Sequence, residues 1–226
     1  MAQKLGIGEY LKELGVPYTI IDVGWWMQYY LPLTLRSTVA PPMKATSWTI
    51  YGSGEDKTLL TNVHHIGRWA AKIIADPRTL NKQVIVWEDE VTQNVAHEMG
   101  ERVSGDGEAL KAKRIQVSFM CTISDLFNRN CWSGIQASEE EVQQQITERA
   151  ATIAKDPADI QAAMKLVYGQ YMLSLHFLRE NTLENAKRLG YLDARELYPD
   201  VSVQSLEEYA KEFYNLPEPV EYYQRE

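Results

Sequence analysis

The stretch that decides the fold is Gly15-Val-Pro-Tyr-Thr-Ile-Ile-Asp-Val-Gly-Trp-Trp26. Apolar residues ahead of it recur at helical spacing, and Gly15 with Pro17 close behind is typical of a helix stop. The β-branched and aromatic run over residues 18–22 predicts a strand, which Gly24 should end. A helix, a glycine stop and a short apolar strand form the helix-to-strand step of an α/β fold.

The segments that follow continue this pattern. Residues 49–51 and 58–61 read as two strands, and the Gly-Ser-Gly turn at 52–54 predicts that they form a hairpin. An apolar run at 84–87 predicts a buried strand, and residues 92–103 predict an amphipathic helix. A further strand is expected at 112–116. The chain is therefore predicted to be α/β as far as about residue 116 and rich in helix beyond it.

Three segments of the C-terminal third have the sequence of a helix start. Ser138, Asn181 and Ser205 each stand three residues before a glutamate, as in a capping box. Gly190 is placed to end the helix that starts near Asn181. These signals predict a series of capped helices after residue 137.

Composition excludes several classes of protein. The 226 residues carry a formal net charge of −8, and an acidic chain repels nucleic-acid backbones and anionic membrane surfaces. No apolar run reaches the roughly 18–20 residues of a membrane span, and the first residues do not resemble a secretory signal. Two cysteines cannot build a disulfide scaffold or a four-cysteine zinc site, and the adjacent His64 and His65 do not share a helical face. A reduced, cytoplasmic protein without a metal site is expected.

The order of three motifs resembles a known family. Residues 15–19 precede a Gly-aromatic-aromatic turn, Asp-Pro-Arg-Thr-Leu-Asn-Lys occupies 76–82, and Glu-Leu-Tyr-Pro-Asp occupies 196–200 ahead of a last helix. Together they resemble the NmrA-like, isoflavone-reductase-like group of atypical short-chain dehydrogenases/reductases. The sequences of residues 22–26 and 85–89 are most similar to those of family members from basidiomycete fungi.

The resemblance implies a Rossmann-type half that binds NADPH and a smaller, α-rich substrate half around a small mixed sheet. On this basis residues 1–24 are expected to end the Rossmann half and residues 25–226 to form the substrate half of a partial NmrA-like domain. The Gly-rich fingerprint of the family is not matched, because Gly52 and Gly54 lack a third glycine and read as a turn. NADPH binding by these 226 residues is therefore expected to be weak.

The family's site residues map onto the start of the chain. Lys4 matches a lysine that serves the family as general base or proton relay, and burial can bring the pKa of a lysine toward neutrality. A solvated lysine near the N-terminus is the competing interpretation. The turn formed by Asp22, Val23, Gly24 and Trp25 would lie near the nicotinamide.

Four aromatic residues follow at once. Trp25, Trp26, Tyr29 and Tyr30 would wall a substrate pocket that stacks on a flat aromatic or polycyclic molecule. The alternative is that these rings belong to the core or to a subunit contact, and self-association as a homodimer is left open.

Two histidines lie on predicted helices. The resemblance places His176 over the substrate pocket, where it could donate a proton, although a hydrogen-bonded core histidine is the more common outcome. His97 lies on an acidic helix and is expected to face solvent. No nucleophile triad and no carboxylate pair stand out.

Three functions compete at this stage. The first is an NADPH-dependent reductase of small aromatic or polyketide-like molecules, which Lys4 favours. The second is a non-catalytic sensor of NADP that binds a transcription factor, as some NmrA-like proteins do. The third is a truncated product without activity of its own, which the absent fingerprint favours.

Residues 117–136 have no counterpart in the family pattern. They include both cysteines, Cys121 and Cys131, and could be a redox pair or a lid over the pocket. We favour a translated intron, because the 20 codons can begin with GT and end with AG, and because long unstructured loops are rare inside compact domains. An irregular, exposed segment without a Cys121–Cys131 bond is expected, and sequencing the cDNA tests this.

Overall fold

The computed structural model describes residues 8, 10–117 and 160–218. In chain order its regular elements are β1 (Thr19–Asp22), β2 (Trp25–Trp26), α1 (Pro41–Ser47), β3 (Thr49–Tyr51), β4 (Lys57–Thr61), α2 (Ile66–Ile74), β5 (Lys82–Ile85), β6 (Asp89–Thr92), α3 (Gln93–Val103), α4 (Gly107–Lys111), β7 (Ile115–Val117), α5 (Ile160–His176), α6 (Leu183–Arg188), β8 (Leu192–Asp193), α7 (Ala194–Leu197) and α8 (Leu206–Asn215). Short 3₁₀ turns cover Met27–Tyr29, Val63–His65 and Pro77–Thr79.

The predicted strand after Pro17 starts the first sheet. β1, β5 and β8 lie side by side in that order, and both neighbouring pairs are parallel. Gly15 and Gly24, the predicted stops on either side of β1, both have a positive φ near 60°. Because Trp69 and Ile73 of α2 pack on Val84 of β5, one face of this sheet is covered by a helix, as in an α/β fold.

The second sheet is mixed. β4 lies in its centre, parallel to β2 on one side and antiparallel to β6 on the other. Leu59 and Leu60 of β4 are fully buried. β1 and β2 are separated only by Val23 and Gly24, so that the chain passes from the first sheet to the second through one tight turn.

The predicted hairpin between residues 49–51 and 58–61 is wrong. β3 pairs in parallel with β7, with Thr49 opposite Ile115, and does not pair with β4. Both edges of β4 are already occupied by β2 and β6, which leaves no place for β3 there. The Gly52–Gly54 turn therefore carries the chain from one sheet to another.

Helix starts follow local chemistry closely. Ser205 forms the predicted capping box with Glu208 at the start of α8, and Thr92 caps α3 through the Val95 amide. The cap of α6 is Thr182, one residue after the Asn181 that the sequence pattern favours. The expected cap at Ser138 lies outside the described residues.

The largest buried cluster joins the second sheet to the C-terminal helix. Leu206, Phe213 and Tyr214 of α8 pack with Met27 and Leu31, all nearly or fully buried. This cluster fixes the chain just after β2, which positions the aromatic residues discussed below. Within the described part of the chain, no helix is long and apolar enough to cross a membrane.

Candidate functional site

A cavity of about 380 Å³ lies between the segment after β2 and helices α1, α3 and α5. Its aromatic walls are Trp25, Tyr29, Tyr30, Tyr51 and Tyr168. Met43 and Met172 add apolar surface, and no Asp, Glu, Lys or Arg is among the described residues that line it. A cavity of this size and character suits a small, largely apolar molecule.

The two adjacent tryptophans face different surroundings. Trp25 lines the cavity and lies 5.8 Å, centroid to centroid, from the ring of Tyr171 on α5. Trp26, predicted as a third member of the wall with Tyr29 and Tyr30, is not among the lining residues. Its ring stacks on Tyr29 at 5.6 Å and the residue remains 37% exposed.

His176 belongs to a group of stacked rings at the end of α5. Its imidazole is nearly parallel to the ring of Tyr51, at 5.5 Å and 5°, and lies 6.3 Å from the ring of Tyr30. Burial lowers the pKa of His176 to about 4, so that the ring is neutral at pH 7. Burial also raises the pKa values of Tyr30 and Tyr51. The resemblance placed His176 at the pocket, and it is one of the residues that line the cavity.

His97 does not face solvent as predicted. It is 4% exposed and lines the cavity from α3, one helical turn after Gln93. Of the acidic residues that suggested a solvated helix face, Glu98 is exposed, whereas Glu101 is largely buried and pairs with Arg114. Desolvation, with the charge of Arg114 as a second cause, lowers the pKa of His97 to about 4.

Gln93 is a second cavity residue that the sequence analysis did not identify. Its side-chain oxygen accepts a hydrogen bond of 2.8 Å from the Tyr51 amide, and its nitrogen donates to the Thr49 carbonyl at 3.3 Å. Gln93 thus holds β3 against α3. Gln93 and His97 are four residues apart on a helix and therefore lie on one face. This spacing could have predicted that both residues line the same wall of the cavity.

The turn predicted to lie near a nicotinamide is at the carboxyl end of β1. The Gly24 amide donates to Asp22 Oδ1 at 3.1 Å, and the Val86 amide donates to the Asp22 carbonyl at 2.7 Å. A Cβ atom at Gly24 would lie 2.6 Å from the Leu59 carbonyl oxygen, which explains why glycine occupies this position of positive φ. Val23 and Gly24 lead directly into Trp25, so this sheet edge and the cavity share one turn.

The described residues offer a strand-end edge for a ligand but no phosphate-binding loop. Open α/β sheets bind ligands beside the carboxyl ends of their strands, where Asp22 and Trp25 lie. A phosphate-binding loop needs glycines before a helix N-terminus, whereas Gly54 packs against Ile50 and Asn94 in a turn between two strands. Within the described ranges no group of three His, Cys, Asp or Glu side chains could hold a metal ion.

A buried charge cluster was also missed. Glu88, whose side chain is fully buried, accepts from Arg68 at 2.6 Å and contacts His65 Nδ1 at 2.9 Å. Its second carboxylate oxygen accepts from the Asn62 amide at 3.1 Å. We call Glu88, His65 and Arg68 the ionic cluster. Because both carboxylate oxygens of Glu88 have protein partners, we interpret the cluster as structural. Glu88 lies far from these partners in the sequence, so no local sequence pattern predicts the cluster.

Two predicted features cannot be placed. Lys4 lies outside the described residues, as do Cys121 and Cys131 with the rest of segment 118–136. Val117, the first residue of the proposed insert, is the last residue of β7.

Comparison with known proteins finds dehydrogenases and reductases that are similar to this chain in sequence. No protein-family model matches the chain. It is 32% identical over 205 residues to asnovolin J 5′,6′-dehydrogenase of Aspergillus novofumigatus, covering 90% of this chain and 55% of that protein. It is 28% identical over 207 residues to an isoflavone reductase-like protein of Olea europaea, covering 90% of this chain and 54% of that one. The chain thus spans about half the length of the curated relatives it matches.

The fold is likewise shared with solved structures. The binary complex of leucoanthocyanidin reductase and NADPH from Vitis vinifera superposes with a TM-score of 0.58 at 17% identity, over 94% of this chain and 57% of that one. At this identity the match speaks for the fold alone. The chain is similar to isoflavone-reductase-like proteins in sequence, and it has their Rossmann-type α/β fold.

Proposed function

We propose that this chain carries the substrate-binding part of an NADPH-dependent reductase of small aromatic or polyketide-like molecules. The observation that carries the proposal is the continuity between the turn at Asp22–Trp25 and the cavity. Trp25 belongs to both, so a molecule held by the cavity's rings lies next to the sheet edge where a nicotinamide would be presented. The names of the relatives, a dehydrogenase and an isoflavone reductase-like protein, agree with this chemistry.

NADPH, when bound, would supply the hydride. The chain's own residues bind and orient the acceptor. Trp25, Tyr29 and Tyr51 offer ring faces on which a flat molecule can stack, and the buried walls exclude water around it. His176 and His97 are neutral at pH 7 and can each donate or accept one hydrogen bond. Lys4 is proposed, from the resemblance, to relay a proton to the reduced product.

We further propose that the 226-residue chain by itself binds NADPH weakly and has no reductase activity. The described residues present no phosphate-binding loop, and the binding free energy of a dinucleotide depends strongly on its phosphates. The division into residues 1–24 and 25–226 is part of the same proposal.

The proposal is tested with a fusion. The part of the Aspergillus relative that lies outside the matched region is joined to this chain, and NADPH oxidation is followed at 340 nm with aromatic enone and ketone substrates. The fusion should be active, and Lys4→Ala should lower kcat about a hundredfold, the usual loss for a general acid–base group. KM for NADPH should change little.

Two results would contradict the proposal. A fusion that binds NADPH and aromatic ligands without oxidising the cofactor would point to the sensor function. Micromolar binding of NADPH to the 226-residue chain in calorimetry would show that the nucleotide site lies within it.

A further inference from the structure

His97 is held in the cavity by a rigid neighbour. Gln93, four residues earlier on α3, uses its amide to anchor β3 at Thr49 and Tyr51. The helix face that points at the cavity is therefore fixed in position by hydrogen bonds on one turn and presents His97 on the next. A side chain placed this way is preorganised for a ligand.

The imidazole of His97 lacks a protein partner in the described ranges. His97 is 4% exposed, and no hydrogen bond joins its ring to residues 8, 10–117 or 160–218. Its ring nitrogens are not among the fully enclosed atoms without a partner, so they open onto the cavity. Buried polar groups in native proteins are normally hydrogen-bonded, so a buried one facing a cavity points to a ligand. Because burial keeps its pKa near 4, the ring offers one N–H donor and one nitrogen acceptor at pH 7.

The remaining walls restrict the charge of that ligand. The cavity's described lining has no Asp, Glu, Lys or Arg side chain, and its aromatic rings include Trp25, Tyr29 and Tyr51. An ammonium brought into such a site would lose its hydration without gaining a counter-charge. A carboxylate would find only the charge of Arg114, which Glu101 already pairs. The apolar rings favour a flat body, and His97 favours a hydroxyl or carbonyl group on it.

We infer that His97 is a specificity-determining residue, which selects uncharged ring compounds carrying a hydroxyl or carbonyl group that hydrogen-bonds its imidazole. The inference rests on the proposed function only in taking this ligand to be the substrate. Binding itself needs neither cofactor nor turnover, so the inference is tested without NADPH.

The experiment uses three matched probes: 2-naphthol, naphthalene and 2-naphthoate. Each is titrated against the 226-residue chain at pH 7 by calorimetry. The wild-type chain should bind 2-naphthol about tenfold more tightly than naphthalene, the value of one net hydrogen bond. It should bind 2-naphthoate most weakly.

Variants assign the preference to His97. His97→Phe keeps an aromatic ring of similar size, so naphthalene binding should stay within about twofold while 2-naphthol loses its tenfold advantage. His97→Gln keeps a donor and an acceptor and should retain part of the preference. His64→Phe, at an exposed position that is not among the lining residues of the cavity, is the matched control and should change neither affinity.

Three outcomes overturn the inference: equal binding of 2-naphthol and naphthalene by the wild-type chain, a preference that survives in His97→Phe, or no binding of any probe. Circular dichroism verifies that each variant is folded. Inactivity of the fusion enzyme would remove the reductase proposal and leave this result standing, so the two failures are distinguishable.

Discussion

The cavity and the ionic cluster both contain histidine side chains that are shielded from water, but the groups around these histidines differ. In the ionic cluster, His65 touches Glu88, and Arg68 binds the same carboxylate. In the cavity, His97 and His176 are buried without a charged partner, and burial lowers the pKa of each to about 4. The difference suggests a way to tell structural polar groups from ligand-binding ones. A buried polar group whose hydrogen-bond partners are protein atoms stabilises the fold, whereas one that faces a cavity without a protein partner is available to bind a ligand.

A large effect on stability at pH 7 is expected from removing the centre of the ionic cluster. Glu88→Ala leaves the buried Asn62 amide without its acceptor. It also removes the carboxylate from Arg68, whose side chain is 35% exposed and keeps its hydrogen bond to the Ser202 carbonyl. Breaking a buried charge pair in this way should lower the free energy of unfolding by about 3 kcal/mol. Urea denaturation at pH 7 measures it.

Glu207→Gln is the control for that variant. Glu207 pairs with Arg102 at 3.0 Å, but both side chains are about half exposed. Its removal should change the unfolding free energy by less than about 0.5 kcal/mol. If Glu88→Ala were equally mild, the cluster would not be structural, and the contrast with the cavity would fail.

The next effect is a pH dependence from the cavity histidines. Their folded-state pKa values, near 4, lie below the ordinary value of 6.5. The stability they contribute is fully present above pH 6.5 and is lost as pH falls toward 4, because only the unfolded chain takes up protons in that window. Each should cost about 3 kcal/mol across the window.

Urea midpoints at pH 7.5, 6 and 5 measure this slope. His97→Phe removes one of the two titrating rings, so its unfolding free energy should fall less steeply than that of the wild-type chain. Arg114, whose charge acts on His97, pairs with Glu101 at 2.5 Å and is present in both proteins. Equal slopes in the two proteins would mean that His97 is not buried as a neutral ring.

A smaller effect is expected at the turn that joins β1 to β2. Gly24 has φ 60°, and an added Cβ would meet the Leu59 carbonyl oxygen at 2.6 Å. Gly24→Ala should therefore cost about 2 kcal/mol, from backbone strain and the clash together. Gly105 has φ 80° with nothing within 4 Å, so Gly105→Ala isolates the strain and should cost about 1 kcal/mol. Thermal unfolding of both variants compares them, and equal losses would remove the clash from the explanation.

Local signals predicted the elements of this fold better than their pairing. The β-branched run at 19–22, the glycine stops at Gly15 and Gly24, and the capping box at Ser205 depend on neighbours in sequence, and each was found where expected. The hairpin prediction failed because the choice of partner for β3 depends on which edges of β4 are already occupied.

In the candidate site, too, local sequence patterns predicted some residues, while residues whose position depends on distant segments were missed. Of the residues expected at a substrate pocket, Trp25, Tyr29, Tyr30 and His176 line the cavity and Trp26 does not. That the cavity binds a substrate stays a prediction. His97 was misread because the composition of a helix does not say which of its faces is buried, although its spacing from Gln93 held that information. Glu88 could not be found, since its partners come from other elements.

The parallel pairing of β3 with β7 also has a kinetic meaning. Tyr51, a wall of the cavity, is held in a strand whose partner, Ile115–Val117, lies much later in the chain. Contacts between distant segments form slowly, because the intervening loop must close before the pair gains any free energy. During refolding, the ability to take up a ligand should therefore return after most of the helical signal has recovered.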